Sequence, residues 1–254
     1  MLPTPDTSHV PYSRVYEPAE DSFLFLDTIS SPSETAFLHQ QFSAAGNSTA
    51  PLVVEVGPGS GVVIGFVNAN AKAIFGTGAL TAGIDVNGFA CNATATTAKK
   101  AADENPDTCG HFLGALKGDL VSPLRDGQVD VLIFNPPYVP TADLPVQDSR
   151  LTMEEGQVLT SSARFDRDSY LLSLSYAGGK NGMEITDRLI AALPNALSAR
   201  GCAYILLCAG NKPEEVKARI ENFGPEWRVL TVGDSGKQAG WEKLQIIRIW
   251  RETP

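Results

Sequence analysis

Short apolar runs alternate with segments of helical spacing along most of this chain. The runs are rich in Val, Ile and Leu and are bounded by turn residues, which is typical of buried strands. They lie at 52–56, 80–85, 112–116, 129–134 and 202–208. The segments with helical spacing lie at 19–29, 62–75, 87–102, 183–197 and 213–223. This alternation predicts an α/β fold with a mostly parallel sheet and helices on both faces.

The remaining segments complete or interrupt this pattern. Two runs near the end, at 228–232 and 244–250, are predicted to close the sheet as an antiparallel pair. Residues 43–50 are predicted to form a linker. The stretch 141–168 has no sustained period and many charges, and a connection of this length is usually functional or disordered. It is interpreted either as a solvated insert or as a lid over the site, because it directly follows the motif at 135–138.

Composition and charge narrow the class of protein. The chain has 254 residues, of which 43% are hydrophobic and 19% charged, so a coiled coil, a fibrous chain and a wholly disordered chain are excluded. The net charge of −9 disfavours a nucleic-acid backbone as the main partner. No apolar stretch approaches the roughly 18 residues of a membrane span, and we expect no secretory signal and no membrane association.

The four cysteines give no sign of a metal site. They show no C-x-x-C spacing, which argues against bound zinc. We expect free thiols in a reducing cytosol. Cys202 and Cys208 are an even number of residues apart, so on a strand both should face the same side.

A glycine-rich loop, EVGPGSG at 55–61, follows the first strand. Glycines at a strand-to-helix turn let a ligand approach the backbone at the helix N-terminus. A dinucleotide-binding loop would need glycine where this chain has Val62. The acidic Glu55 on the strand favours S-adenosylmethionine over NAD, because S-adenosylmethionine carries an ammonium group that can bind a carboxylate. A tight turn without a ligand stays the alternative.

Two further acids follow the next two strands. Asp85 can accept two hydrogen bonds from a ribose diol, and Asp119 can accept one from an adenine amino group. Taken singly, each is more often a cap or a turn residue. Ligands of open α/β sheets bind at the carboxyl ends of the strands, so we expect these acids and Glu55 to surround one ligand.

The motif NPPY at 135–138 follows the fourth strand and is the most specific signal in the chain. Two prolines fix the backbone and remove two amide donors, which leaves carbonyl groups to accept hydrogen bonds. Asn135 adds a side-chain carbonyl, and Tyr138 adds a ring face. These groups suit a planar ligand that carries an NH₂ group. The alternative is a Pro-Pro turn that only ends the strand.

Together, the glycine loop and the NPPY motif resemble class I methyltransferases that act on planar amino or amide nitrogens. This group includes adenine-N6 DNA methyltransferases and HemK-type protein glutamine methyltransferases. Further segments are similar to the eukaryotic, fungal-type HemK-like release factor glutamine methyltransferases. These segments are VYEPAEDSFL at 15–24, VDVLIFNPPYVP at 129–140, GGKNG at 178–182 and GWE at 240–242. The resemblance covers nearly the whole chain. This chain departs from the family in the length of the segment 141–168.

The resemblance implies a Rossmann-like, mostly parallel seven-stranded sheet with helices on both faces and an antiparallel C-terminal strand. It divides the chain into an N-terminal extension, 1–50, whose helix contributes to the cofactor site, and a methyltransferase domain, 51–254. The implied activity is methyl transfer from S-adenosyl-L-methionine to the side-chain amide nitrogen of a glutamine. That glutamine lies in the Gly-Gly-Gln loop of the eukaryotic class 1 translation termination factor, taken alone or with its GTPase partner. The implied location is the cytoplasm, with the nucleus as a second place.

The resemblance also assigns residues to roles. Cofactor contacts fall on Ser22, Glu55, Gly57, Gly59, Asp85, Asp119, Leu120 and Asn135. Substrate contacts and catalysis fall on Asn135, Pro136 and Tyr138, without a metal. Acceptors at Asn135 and Pro136 would hold the amide N–H groups and favour positive charge on the nitrogen, and Tyr138 would align the amide plane.

Three alternatives to this function stay open. An adenine-N6 nucleic-acid methyltransferase would use the same acceptors, although the net charge and the lack of a target-recognition domain argue against it. A protein lysine methyltransferase side activity is compatible with a flat site. A noncatalytic S-adenosylmethionine-binding scaffold would not need the complete NPPY motif.

The resemblance further implies an obligate partner, a small zinc-binding activator subunit. In the family's topology the strand at 112–116 lies at a sheet edge, and its sequence FLGAL has no charge or proline to protect it. We expect the activator to add a strand there and form a heterodimer. The alternative is that residues 31–50 of this chain cover the edge.

Overall fold

The computed structural model describes residues 2–43, 49–146, 160–236 and 243–252. They form one seven-stranded sheet flanked by helices. The strands are β1 (Leu52–Val56), β2 (Leu80–Asp85), β3 (His111–Lys117), β4 (Val129–Phe134), β5 (Leu197–Cys208), β6 (Trp227–Asp234) and β7 (Leu244–Arg251). The helices are α1 (Glu20–Ile29), α2 (Pro32–Ser43), α3 (Val62–Ala69), α4 (Ala71–Phe75), α5 (Gly88–Glu104), α6 (Ser161–Tyr176), α7 (Glu184–Ala196) and α8 (Pro213–Glu221).

The strand order is β3-β2-β1-β4-β5-β7-β6, and β7 runs in the opposite direction to the other six strands. The predicted mostly parallel sheet with an antiparallel C-terminal strand is therefore confirmed. The first five strands place their carboxyl ends at one edge. In such sheets that edge is where ligands bind.

Two apolar layers hold the helices on the sheet. Neighbouring residues of β1 point to opposite faces, so Val53 belongs to the layer under α1, α2 and α3, and Val54 to the layer under α7 and α8. Strand β4 is buried along its whole length, which explains its continuous apolar sequence. Cys202 and Cys208 lie in the same layer, as predicted, and all four cysteines are free.

Helix α2 precedes the predicted linker 43–50, of which residues 44–48 lie outside the described residues. Helix α2 packs against α4, and Glu34 accepts hydrogen bonds from Tyr204 and Arg248 on β5 and β7. The described residues of 31–50 therefore lie against the middle of the sheet. The alternative that they cover the edge at β3 is wrong for residues 31–43, and residues 44–48 lie outside the described residues.

The stretch 141–168 is not continuously irregular, because α6 begins at Ser161. Thr160 caps this helix by accepting a 3.2 Å hydrogen bond from the amide of Ala163. Only Arg167 and Leu171 are buried on α6, so its apolar pattern is too sparse for a helix prediction. Residues 147–159, and the family segment at 240–242, lie outside the described residues.

Two other element predictions need correction. The helix predicted at 62–75 is two helices, which meet at Asn70. Strand β5 begins at Leu197 instead of residue 202, because Leu197 already pairs with Val129 of β4. A register shift follows, after which Cys202 pairs with Val131. Within the described ranges, no helix is long and apolar enough to cross a membrane.

Candidate active site

A cavity of about 300 Å³ lies at the carboxyl ends of β1, β2 and β4. Its wall includes nearly all the predicted site residues: Ser22, Glu55, Gly57, Gly59, Asp85, Asp119, Leu120, Asn135 and Pro136. Tyr138 does not contribute to this wall and packs, half-buried, against the apolar layer that contains α1 and α3. The structure thus brings together residues that are up to 114 positions apart in the chain.

The glycine loop leaves room for a ligand. The amide of Gly57 donates a 2.7 Å hydrogen bond to the carbonyl of Ile84, which fastens the loop to β2. Gly57 and Gly59 have φ of +64° and +53°, and a Cβ on either would meet no protein atom within 4 Å. Gly61 faces the backbone of Thr94 on α5, where a Cβ would collide. The first two glycines therefore border the cavity, and the third lets two helices approach.

Glu55 is a buried acid at the end of β1, with 2% of its surface exposed. Its Oε2 accepts a 2.8 Å hydrogen bond from the amide of Ile64 in the first turn of α3. Burial, with a smaller contribution from Asp85, raises the pKa of Glu55 to about 8. A cationic group in the cavity would stabilise the ionised carboxylate, so this position suits an ammonium group.

Asp85 ends β2 and is also buried. Its Oδ2 accepts a 3.2 Å hydrogen bond from the amide of Gly59, and its Oδ1 accepts a 2.8 Å bond from the amide of Asn87. Burial raises the pKa of Asp85 to about 6 despite these bonds. Each carboxylate oxygen can accept more than one hydrogen bond, so a diol can still bind here.

Asp119 and Leu120 form the turn after β3. The Asp119 carboxylate binds Nη2 of Arg188 on α7 at 2.5 Å, and both side chains are partly exposed. Leu120 has φ of +53°, a left-handed conformation that is uncommon for a residue other than glycine. This turn brings an apolar side chain and a carboxylate that is paired with Arg188 to the cavity wall. Sequence reasoning missed Arg188, because an arginine in an amphipathic helix carries no signal of its own.

Asn135, at the end of β4, presents the most informative atom of the site. Its Nδ2 donates a 3.0 Å hydrogen bond to Oδ2 of Asp21 on α1. Its Oδ1 is buried and has no hydrogen-bond partner among the described residues. Leaving a buried acceptor unpaired costs about 1–3 kcal/mol, and because Asn135 lines the cavity, this oxygen is a candidate acceptor for a ligand's hydrogen bond. Sequence reasoning selected Ser22 and missed Asp21, although the two are neighbours.

The NPPY loop rests on the segment at 178–182. A Cβ on Gly178 or Gly182 would collide with the carbonyl of Pro137 or Tyr138, so only glycine lets the two loops touch. The side chain of Asn211 donates to the carbonyl of Asn181 at 3.1 Å and to that of Tyr138 at 3.4 Å. This packing gives a physical reason for the glycines in the family segment GGKNG.

The N-terminal arm and α6 close the other side of the cavity. Arg14, Val15 and Tyr16 line it together with Leu171, Leu174 and Ser175. The guanidinium groups of Arg14 and Arg167 both lie over the ring of Phe89, at 4.6 and 5.1 Å from its centre. Leu144 and Pro145 also reach the wall, so the start of the predicted insert borders the site, as the lid interpretation requires.

Comparison with known proteins identifies the family. No protein-family model matches the chain. Mouse methyltransferase HEMK2 is 31% identical over 251 residues, which cover 97% of this chain and 96% of the mouse protein. The chain belongs to the HEMK2 family of methyltransferases. The fission yeast protein named eRF1 methyltransferase catalytic subunit mtq2 is 30% identical over 256 residues, covering 99% of this chain and 96% of that protein.

The HemK-type resemblance drawn from the motifs is thus confirmed. Among solved structures, the catalytic domain of human Mettl16 in complex with an RNA hairpin has a TM-score of 0.51 at 17% identity. The match covers 95% of this chain and 73% of that one, and it is a likeness of fold. The fold is the predicted class I methyltransferase fold, and its cavity is lined by the acids Glu55, Asp85 and Asp119 and by the apolar Leu120. These residues fit S-adenosylmethionine, the cofactor expected from the sequence.

Proposed function

We propose that this protein transfers a methyl group from S-adenosylmethionine to the side-chain amide nitrogen of a glutamine. The glutamine is that of the Gly-Gly-Gln loop in the class 1 translation termination factor. The observation that carries the proposal is Oδ1 of Asn135, a buried acceptor without a partner in the described residues, beside an acid-lined cavity. The name of the fission yeast relative, an eRF1 methyltransferase, supports this substrate.

The acceptors of the NPPY motif explain how an amide can react. An amide nitrogen is a weak nucleophile because its lone pair is delocalised into the carbonyl group. Asn135 Oδ1 and the carbonyl of Pro136 would accept both N–H groups, and so stabilise the positive charge that develops on nitrogen. The bound cofactor would supply an electrophilic methyl group. Holding the amide in one orientation next to it accounts for much of the rate.

The remaining wall residues would hold the cofactor. We assign the ammonium group to Glu55, the ribose diol to Asp85 and the adenine amino group to Asp119. Ser22, Gly57, Gly59, Leu120 and Asn135 are the other predicted cofactor contacts in the wall. In this assignment the N-terminal extension, 1–50, supplies Ser22 to the site of the methyltransferase domain, 51–254. Tyr138 stays a predicted substrate contact, because the ring plane suits the amide plane.

Methyl transfer to a defined substrate tests the proposal. The chain would be incubated with labelled S-adenosylmethionine and either the termination factor or a variant with alanine for the loop glutamine. We expect label in the first factor and none in the second. Equal labelling of both, or labelling of lysine or nucleic acid instead, would contradict the assigned substrate.

We also propose that the small zinc-binding activator subunit pairs with the edge strand β3. We propose the cytoplasm as the location of the two chains, and the nucleus as a second location. Strand β3 ends the sheet and exposes Leu113 by 56% and Leu116 by 47%. An apolar edge of this kind favours pairing with another chain.

Matched substitutions at the two sheet edges test this partner. Leu113→Glu should abolish co-purification with the activator. Leu230→Glu is the control, because Leu230 is 52% exposed on β6 at the opposite edge. A complex that survives Leu113→Glu, or a chain that is monodisperse and fully active alone, would contradict this mode of pairing.

A further inference from the structure

We infer that Asp21 is a positioning residue, which turns the carbonyl oxygen of the Asn135 side chain towards the reacting amide. The inference rests on the proposed function, because it assigns to Asn135 Oδ1 the role of an acceptor for the substrate. Asp21 borders the same cavity and would act on the reacting amide through Asn135.

The Asp21 carboxylate is buried and hydrogen-bonded through both of its oxygens. The side chain is 3% exposed on the first turn of α1. Its Oδ2 accepts hydrogen bonds from Asn135 Nδ2 at 3.0 Å and from the Tyr16 hydroxyl at 3.2 Å. Its Oδ1 accepts from the amide of Ser22 at 2.7 Å and from the Ser22 hydroxyl at 3.3 Å. Both oxygens are therefore fixed by several donors.

An ionised carboxylate has no donor, and this property selects the orientation of the Asn135 amide. Only the NH₂ end of Asn135 can face Asp21, so the oxygen end must face away from it. A hydrogen bond to a charged group is stronger than a neutral one, which holds the amide in this state. In the flipped state, Asn135 would present N–H to the N–H groups of the substrate, and the site would repel the group it has to bind.

A role limited to the stability of α1 explains less of this geometry. An acid in the first turn of a helix does stabilise it, and Glu20 offers this effect on the exposed side. Asp21 is buried instead and contacts a residue 114 positions away. That contact occupies the NH₂ end of Asn135, and its Oδ1 has no hydrogen-bond partner among the described residues.

The substitution Asp21→Asn tests the inference with little change in shape. The new amide can offer Asn135 either an acceptor or a donor, so both orientations of Asn135 become available. We expect the kcat for the termination factor to fall about tenfold, the scale of a lost charged hydrogen bond. Cofactor affinity should change much less than kcat, because Glu55, Asp85 and Asp119 are unaltered. Glu20→Gln removes a carboxylate from the same turn, where it is exposed, and should leave kcat unchanged.

An exchange of the two side chains provides a rescue. Asn135→Asp alone places a second carboxylate directly opposite that of Asp21, and this variant should be nearly inactive. Adding Asp21→Asn restores one donor and one acceptor across the contact and leaves a carboxylate oxygen towards the cavity. We expect the double variant to be several-fold more active than Asn135→Asp alone, as one restored hydrogen bond would allow. This comparison also decides the matter if Asp21→Asn alone does not fold.

The side-chain amide resonances of Asn135 give a readout without any substrate. They should shift in Asp21→Asn and stay in place in Glu20→Gln. If the wild-type chain does not methylate the termination factor but the resonances shift as expected, the proposed substrate fails and the amide contact stands. Wild-type kcat in Asp21→Asn, no rescue by the exchange, or a parallel loss of cofactor affinity would overturn the inference.

Discussion

The two halves of the cavity lie at one edge of the same sheet, yet their polar groups differ in whether they are hydrogen-bonded within this chain. In the cofactor half, the carboxylates of Glu55 and Asp85 already accept hydrogen bonds from backbone amides of this chain. In the substrate half, Asn135 Oδ1 has no such bond within the described residues. The acids of the first half therefore also hold the loop and α3 in place, whereas in our proposal the acceptor of the second half binds the substrate amide.

Because of this difference, substitutions in the two halves should affect stability and activity to different extents. Removing an acid of the cofactor half leaves backbone amides without an acceptor, which destabilises the fold as well as the complex. Removing the Asn135 amide deletes an unpaired oxygen and one bond to Asp21, so the fold should lose little. The following substitutions test that contrast.

Asn135→Ala should give the largest effect, a fall in kcat on the order of a hundredfold or more, as for loss of a preorganised polar contact in a transition state. Its melting temperature should stay close to that of the wild type. Asn195→Ala, at an exposed position of α7, is the control. Single-turnover kinetics and thermal unfolding would measure both quantities. Near-normal turnover in Asn135→Ala would disprove the substrate role of Asn135.

Asp85→Ala should weaken cofactor binding at least about tenfold, because two hydrogen bonds to a charged group are lost. Unlike Asn135→Ala, it should also lower the melting temperature, since the amides of Gly59 and Asn87 lose their acceptor. Calorimetric titration with cofactor would measure the affinity. Asp103→Ala, exposed on α5, should change neither quantity. Unchanged affinity in Asp85→Ala would remove this residue from the cofactor site.

Glu55→Gln should change the pH dependence of stability more than stability itself. Burial raises the pKa of Glu55 from 4.5 to about 8, so in this interval the folded chain binds a proton that the unfolded chain has released. The free energy of unfolding of the cofactor-free protein should therefore fall as the pH rises through this interval. Asp85 acts in the same direction at lower pH, because its pKa is raised from 3.8 to about 6.

The glutamine variant keeps an oxygen for the amide of Ile64 and has no proton to lose. Its unfolding free energy should therefore fall less between pH 6 and pH 8 than that of the wild type. Denaturant unfolding at both pH values would measure this slope. An identical slope in the two proteins would show that Glu55 is ionised throughout and that its burial is compensated.

Tyr138→Phe should have the smallest effect, a loss of kcat below about tenfold, which is the scale of one neutral hydrogen bond. The ring would remain half-buried against the apolar layer and could still align the amide plane. Tyr138→Ala should be clearly worse, because it removes the ring as well. The reverse order would assign the role of Tyr138 to its hydroxyl group.

The sequence by itself determined the sheet and the motifs of the site. Strands such as β4 are buried on both faces, so their apolar runs are continuous and can be recognised locally. The glycine loop and the NPPY motif follow strands whose carboxyl ends must meet at one edge of a parallel sheet. For that reason the placement of Glu55, Asp85 and Asn135 around one cavity was predictable from local patterns.

Only the tertiary structure decided which side chains orient and close the site. Helix α6 buries two residues, so its position depends on packing against Phe89 and not on a periodic pattern. The contact of Asp21 with Asn135 joins residues 114 positions apart, and that of Asp119 with Arg188 joins residues 69 apart. A hydrogen bond between residues so far apart in the sequence cannot be predicted from either local sequence. Each partner alone is an ordinary polar residue at the end of a strand or on a helix.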